Sequence, residues 1–257
     1  MTTVKQWGVA LVGALLWLGS NAAMADTRTV NVGVNGHMQA QLISPDGPGP
    51  YPAVLLLHTS GGLQMADLEY AHHLMLHGYV VLLPEFLAAY GITYPTRQLT
   101  FTDDAAPLYA DFVACLQQLS ALPNVDGKRL AAIGFSNGGY FALWLAARGQ
   151  VQAGVSYYGA LSGAGTDKTL LRFRQLFNHA SSPVLILHGD DDSTVSIDYA
   201  QALDTLLTGA HSPHAFYQYA GAGHRFERSN DADDQAAAKD AWMRTLGFLA
   251  DNLQPAP

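Results

Sequence analysis

Residues 134–139 read Gly-Phe-Ser-Asn-Gly-Gly, one hydroxyl set among glycines where an apolar strand pattern gives way to a helical one. The hydroxyl of Ser136 is a poor nucleophile until a base removes its proton. It must also stand clear of the backbone to reach a carbonyl carbon. A tight strand-to-helix turn of the form G-x-S-x-G achieves this, because side chains at the glycine positions would crowd the serine. The helix that follows turns its unpaired N–H groups and positive dipole end toward the same point. The Asn137 N–H is therefore the first candidate donor to a developing oxyanion. Alone, the pattern also fits a glycine-rich turn with a serine helix cap, so its meaning depends on what else the chain supplies.

Two further segments supply the missing groups, in the order Ser, acid, His that such a turn on an α/β sheet requires. The acid lies in LILHGDDDSTVS, residues 185–196, where a strand pattern ends at His188-Gly189 and three aspartates follow. An acid at the carboxyl end of a strand can hold an imidazole in the right tautomer. The spacing G-x-x-D-x-x-V selects Asp192. Asp190 and Asp191 remain candidates, although aspartates at such places commonly serve turns and caps. The base is His224, in YAGAGHRFER, after the last strand pattern and before the last helix. A second oxyanion donor is expected from the loop His58-Thr59-Ser60-Gly61-Gly62, whose glycines let backbone approach a ligand closely. Ser60 is assigned to it, with Thr59 as the alternative. Together these residues predict acyl transfer: Ser136 attacks, His224 moves the proton, Asp192 orients His224, and two N–H groups receive the oxyanion.

The remaining reactive side chains read differently. His72, His73 and His77 fall on one helical segment without a carboxylate or third histidine at ligand spacing, so no metal site is predicted. His58 and His188 end strands and are expected to shape the site floor. Cys115, the single cysteine, sits in the helical pattern LYADFVACLQQL and is expected to pack as a small hydrophobe.

The elements that must position these residues alternate along the chain. RTVNVGV and MQAQLIS read as an opening antiparallel pair joined at Asn35-Gly36. Further strands are predicted over 53–58, 79–84, 130–135, 151–159, 183–189 and 214–220. Helices are predicted over 66–77, 103–119, 137–148, 198–207 and 231–252. This alternation implies a mostly parallel sheet with helices on both faces. Stretches 85–102 and 160–182 are the least regular, and are candidate lids or pocket walls.

Lys5, the apolar run Trp7 to Leu18 and the Ala23-Met24-Ala25 tripeptide have the layout of a secretory signal peptide. Residues 1–25 are thus predicted to be a leader and 26–257 one α/β domain, periplasmic or secreted. The apolar run is too short for a membrane span, so no stable membrane insertion is expected after cleavage. The 257-residue chain has 13 Lys and Arg against 21 Asp and Glu, a net charge of −8. That balance, without a basic cluster, argues against nucleic acid and anionic membranes as partners.

The chain resembles the dienelactone hydrolase family of the α/β-hydrolases. The likeness runs through HGYVVLLPEF, NVDGKRLAAIGFSNGG, VQAGVSYYG, HGDDDSTV and GAGHRF. The resemblance implies an eight-stranded α/β-hydrolase core, no cofactor, and the triad Ser136, Asp192 and His224. It also implies departures. Enzymes that open dienelactones carry cysteine in the elbow and a glutamate in the oxyanion loop; here those positions hold Ser136 and Thr59. A serine without that glutamate resembles a general esterase activated by His224 alone. In those enzymes two arginines hold a substrate carboxylate; one position matches Arg228, and Arg97 is a loose counterpart of the other. Export points to esters met outside the inner membrane: a small acyl ester, a lactone, or an ester on a polymer. Two other readings are a peptidase of prolyl-peptidase type and a non-catalytic binding protein of the same fold. The first usually needs a large extra domain, and the second usually lacks a triad member.

Overall fold

The computed structural model describes residues 26–161 and 169–254. The expected leader and its cleavage site lie outside the described residues, as do residues 162–168 of the second irregular stretch.

The sheet has eight strands: β1 (Asp26–Val32), β2 (Met38–Ser44), β3 (Tyr51–Leu57), β4 (Val80–Pro84), β5 (Val125–Phe135), β6 (Ala153–Tyr157), β7 (Val184–Gly189) and β8 (His214–Tyr219). Their spatial order is β1-β2-β4-β3-β5-β6-β7-β8. β1 pairs antiparallel with β2 and β2 with β4; from β4 onward every pairing is parallel. Three parallel pairings place Leu55 beside Leu82 and Ala132, and Ala132 beside Gly154. The seven-residue arms of the opening hairpin turn through Asn35, which adopts φ 62.

The helices are α1 (Met65–Leu76), the single-turn α2 (Phe86–Ala89), α3 (Ala105–Ser120), α4 (Asn137–Ala147), α5 (Thr169–Leu176), α6 (Ile197–Gly209) and α7 (Ala232–Asn252). Strand pleating sends successive side chains to opposite faces. Ala53, Leu55 and Leu57 of β3 thus join one apolar cluster with Leu108, Phe112 and Leu203 from α3 and α6. Val54 and Leu56 join the cluster on the other face with Leu74, Ala241 and Leu249 from α1 and α7. Strands covered on both faces need no polar side, which is why these runs are continuously apolar in sequence. All eleven residues of α4 are buried.

Among the differences from expectation, those in β5 and β6 have identifiable reasons. β5 begins at Val125 rather than Leu130, because Tyr51 pairs with Val125 across a register shift in a polar, exposed segment without a hydrophobic signature. β6 stops at Tyr157, because Tyr158 takes φ 37, which a strand cannot continue. The irregular stretch 85–102 folds as α2 followed by a 3-10 segment, Tyr94–Phe101. That segment reaches the carboxyl ends of the parallel strands, where ligands bind in open α/β sheets.

Candidate active site

Ser136 sits between β5 and α4 with φ 51 and ψ −110, a conformation that L-residues rarely adopt. The surroundings hold it there. Its N–H donates to the Tyr157 carbonyl at 2.9 Å, and its own carbonyl accepts from Ala160 N–H at 2.8 Å. The flanking glycines are sterically required. A Cβ on Gly134 would lie 2.1 Å from the Gly138 carbonyl oxygen, and one on Gly138 would lie 2.2 Å from that of Leu57. The sequence G-F-S-N-G thus folds into a sharp turn because only hydrogen fits at both ends of it.

Two other loops converge on the serine. His224 Nε2 lies 3.2 Å from Ser136 Oγ, and His224 Nδ1 lies 2.7 Å from Asp192 Oδ2. With the proton on Nδ1, the imidazole donates to the carboxylate and Nε2 is free to accept from the hydroxyl. Asp192 is buried, and its Oδ1 accepts the Thr194 and Val195 N–H groups, both at 2.8 Å. Burial opposes its ionisation, but hydrogen bonds from His188, His224 and the Val195 N–H prevail and hold the carboxyl well below the usual carboxylate range. The neighbouring aspartates are exposed and do not approach His224 in this way. Asp190 instead accepts the Gly221 N–H at 2.7 Å, anchoring the turn after β8.

The mouth of the site is a cavity of about 430 Å³ lined by Ser136, Asn137 and His224, with Thr59, Ser60 and Gly61 along one wall. Asn137 is the first residue of α4, so its N–H has no carbonyl one turn back to pair with. Thr59 folds the opposite loop: its Oγ1 accepts from Gly61 N–H and its carbonyl accepts from Gly62 N–H, each at 3.2 Å. His58 buttresses that loop from below. It is 1% exposed, its Nδ1–H donates to the Thr59 carbonyl at 2.7 Å, and its ring stacks on Phe86 at 4.0 Å. Burial pushes its pKa down to about 4, against the raising effect of the Thr59 hydrogen bond. The far wall comes from Tyr94, Arg97 and Phe101 of the 3-10 segment. That segment is tied to the elbow by Asn137 Nδ2–H, which donates to Thr100 Oγ1 at 2.8 Å.

Arg97 lines the cavity, stacked 4.1 Å from the Tyr94 ring centroid. Arg228, expected to grip a substrate carboxylate, is not among the residues that line it. Its Nη2 meets Asp67 Oδ1 and its Nε meets Glu227 Oε1, both at 2.5 Å, and its side chain is only 8% exposed. The guanidinium points into the protein and is already neutralised. Arg225, which the sequence reading passed over, is the second arginine on the cavity wall. Its nearness to His224 in sequence was the available signal.

The His224 imidazole is supported more fully than its motif indicates. Tyr158 presents its ring to His224 at 4.6 Å and donates its hydroxyl to Glu227 Oε1 at 2.5 Å. His188, expected only as floor, reaches Asp192. Cys115 is buried in α3, where burial pushes its thiol up to about 12, consistent with the expected packing role.

The chain has known relatives. The model of the dienelactone hydrolase family matches residues 38–253. A carboxymethylenebutenolidase of Pseudomonas putida is 26% identical over 228 residues, covering 84% of this chain and 92% of its own. A Yersinia pestis protein assigned as a carboxymethylenebutenolidase is 26% identical over 227 residues, 82% of this chain and 83% of that one. Among solved structures, a Klebsiella pneumoniae protein assigned as a dienelactone hydrolase superposes with a TM-score of 0.77 at 25% identity, covering 90% of this chain and 99% of that one.

Proposed function

We propose, since this chain is a hydrolase that belongs to the dienelactone hydrolase family, that it cleaves carboxylic esters and lactones through Ser136, His224 and Asp192. The observation that carries this reading is the continuous relay from Asp192 Oδ2 through the imidazole to Ser136 Oγ, with contacts of 2.7 and 3.2 Å, opening onto a cavity. Ser136 Oγ attacks the acyl carbon as its proton passes to His224 Nε2. The backbone N–H groups of Asn137 and Ser60 receive the oxyanion. The imidazolium then protonates the departing alkoxide, leaving an acyl-serine. Water, deprotonated by His224, releases the acid and restores the serine. Each oxyanion donor typically contributes on the order of 3 kcal/mol to transition-state stabilisation.

The cavity favours small substrates, since about 430 Å³ is near the lower end of ligand pockets. Its charged lining consists, among the described residues, of Arg97 and Arg225 beside His224. Esters or lactones bearing an acidic group suit that lining. The leader pattern of residues 1–25 adds the proposal that hydrolysis takes place in the periplasm or outside the cell.

Reaction with a fluorophosphonate, read by intact mass, tests the nucleophile. A single adduct on the wild type, its absence in Ser136→Ala, and a fall in ester turnover of about a thousandfold or more in that variant are expected. An unlabelled but folded wild type, or an active Ser136→Ala, would overturn the assignment.

A further inference from the structure

His188 ends β7 with its side chain buried, and nothing in the mechanism above requires a second histidine at the acid. Its Nε2 lies 3.1 Å from Asp192 Oδ2 and 2.9 Å from the Val195 carbonyl oxygen. Both neighbours are acceptors. A bare nitrogen between a carboxylate and a carbonyl would be repelled by both, so Nε2 carries the proton and shares it between them. His188 Nδ1 is buried and has no hydrogen-bond partner among the described residues. A proton there would be an unpaired buried donor, which costs about 1–3 kcal/mol. The ring is therefore the neutral Nε2–H tautomer.

Asp192 Oδ2 is the same oxygen that receives His224 Nδ1–H. Oδ1 is already committed to the two backbone donors of the Thr194–Val195 turn. The two histidines thus meet at one oxygen, one from the strand floor and one from the cavity.

We propose that His188 is a positioning residue for the relay, donating Nε2–H to Asp192 so that the carboxylate is fixed in orientation and part of its charge is drawn away from His224. The Val195 carbonyl, by sharing the same N–H, locks the imidazole to the loop that carries the acid. The proposal rests on Asp192 acting as the acid of the relay. Its physical consequence is specific. Without the His188 donor, Oδ2 concentrates its charge on His224 alone, and the imidazolium form of His224 is favoured. The other groups around His224 are the Tyr158 ring with Glu227 behind it, Arg225 next in the chain, and Asp234, which accepts the Gly223 N–H at 2.8 Å. A substitution at His188 removes no direct contact of these groups.

Two measurements on the full-length protein test this, and neither depends on turnover. In the wild type at neutral pH, imidazole ¹⁵N shifts of His188 should report the Nε2–H tautomer. The Nδ1–H tautomer, or an imidazolium, would overturn the proposal. The titration of His224, followed on its ring Cε1 proton, should move to higher pH by about half a unit or more in His188→Leu. In His188→Gln, whose side-chain amide can reach the same oxygen, it should stay with the wild type. An unmoved titration in His188→Leu, or equal movement in both variants, would reduce His188 to packing. Should His188→Leu not fold, the wild-type tautomer decides. Fluorophosphonate labelling of Ser136 in the same preparation separates the two ideas. A labelled enzyme with no shift loses only the role of His188; a shift without labelling keeps the His188 contact and loses the hydrolase reading.

Discussion

At the scale of single residues, the three consecutive aspartates have three different environments. Asp192 is buried and meets His224, His188 and two backbone N–H groups. Asp190 is exposed and holds the Gly221 N–H and the Gln218 side-chain amide. Asp191 is exposed. Asp192→Asn replaces the charge that stabilises an imidazolium and presents an amide that can favour the wrong tautomer, so kcat should fall by about 10³–10⁴. Asp190→Asn should reduce stability by about 1 kcal/mol, with kcat nearly unchanged. Asp191→Asn should alter neither. Turnover of a small ester beside urea midpoints checks all three, and equal kinetic losses would sink the assignment to Asp192. The positions of Ser136, Asp192 and His224 are legible in the sequence because each lies in a short backbone motif whose geometry is local. His188, Tyr158 and Arg225 are not, because their contacts join separate loops and no spacing encodes which way a ring or guanidinium turns. The pairing of Arg228 is illegible for the same reason: its distance from His224 along the chain says nothing of Asp67 on α1.

Between elements, that arginine is the strut that fixes the histidine loop. The loop after β8 passes through His224 and a 3-10 turn, Phe226–Arg228, before α7 begins. Arg228 pins this turn to the first turn of α1 through Asp67, while Gln64 at the start of that helix accepts from Arg225 at 2.8 Å. Asp67 also closes the helix cap by accepting the Gln64 N–H at 2.8 Å. Burial opposes the charge on Arg228, but Tyr158, Glu227 and Asp67 prevail and hold its pKa above the usual value. Arg228→Ala leaves Asp67, which is fully buried, without its counter-ion. It should destabilise the protein by about 3–5 kcal/mol and depress the hydrolysis of neutral and acidic esters alike. Arg225→Ala removes an exposed side chain and should leave stability near wild type. It should raise KM for a carboxylate-bearing ester by about tenfold relative to a neutral ester of the same size, as expected for one lost charge-assisted contact. Urea midpoints and KM for the two esters distinguish the roles. A selective loss of acidic substrate in a stable Arg228→Ala would return that residue to the substrate site.

For the whole molecule, the burial of His58 beneath the site sets its response to acid. His58 lies under the oxyanion loop, stacked on Phe86, with its pKa pushed down to about 4 from 6.5 by burial. In the unfolded chain the imidazole takes a proton below its ordinary value of 6.5; in the folded protein it stays neutral until about 4. Between those values the unfolded state binds more protons, so unfolding becomes easier as the pH falls. The stability associated with a neutral His58 is fully present above 6.5 and is lost down to about 4. The full slope is about 1.4 kcal/mol per pH unit, which accumulates to roughly 3 kcal/mol across the window. Asp192 adds a loss of the same sign only at lower pH, because its folded-state pKa lies below the carboxylate range and its stabilisation is complete above about 4. His58→Asn isolates the histidine's share, since the Asn amide nitrogen falls near the place of imidazole Nδ1, can still donate to the Thr59 carbonyl, and does not titrate. Urea unfolding should therefore show a wild type that weakens steeply from pH 6.5 toward pH 4 and a His58→Asn protein, less stable at pH 7, that weakens much less over the same interval. Parallel slopes would mean that His58 is protonated in the folded state at ordinary acidity, and that the oxyanion loop rests on a charged ring instead of a neutral one.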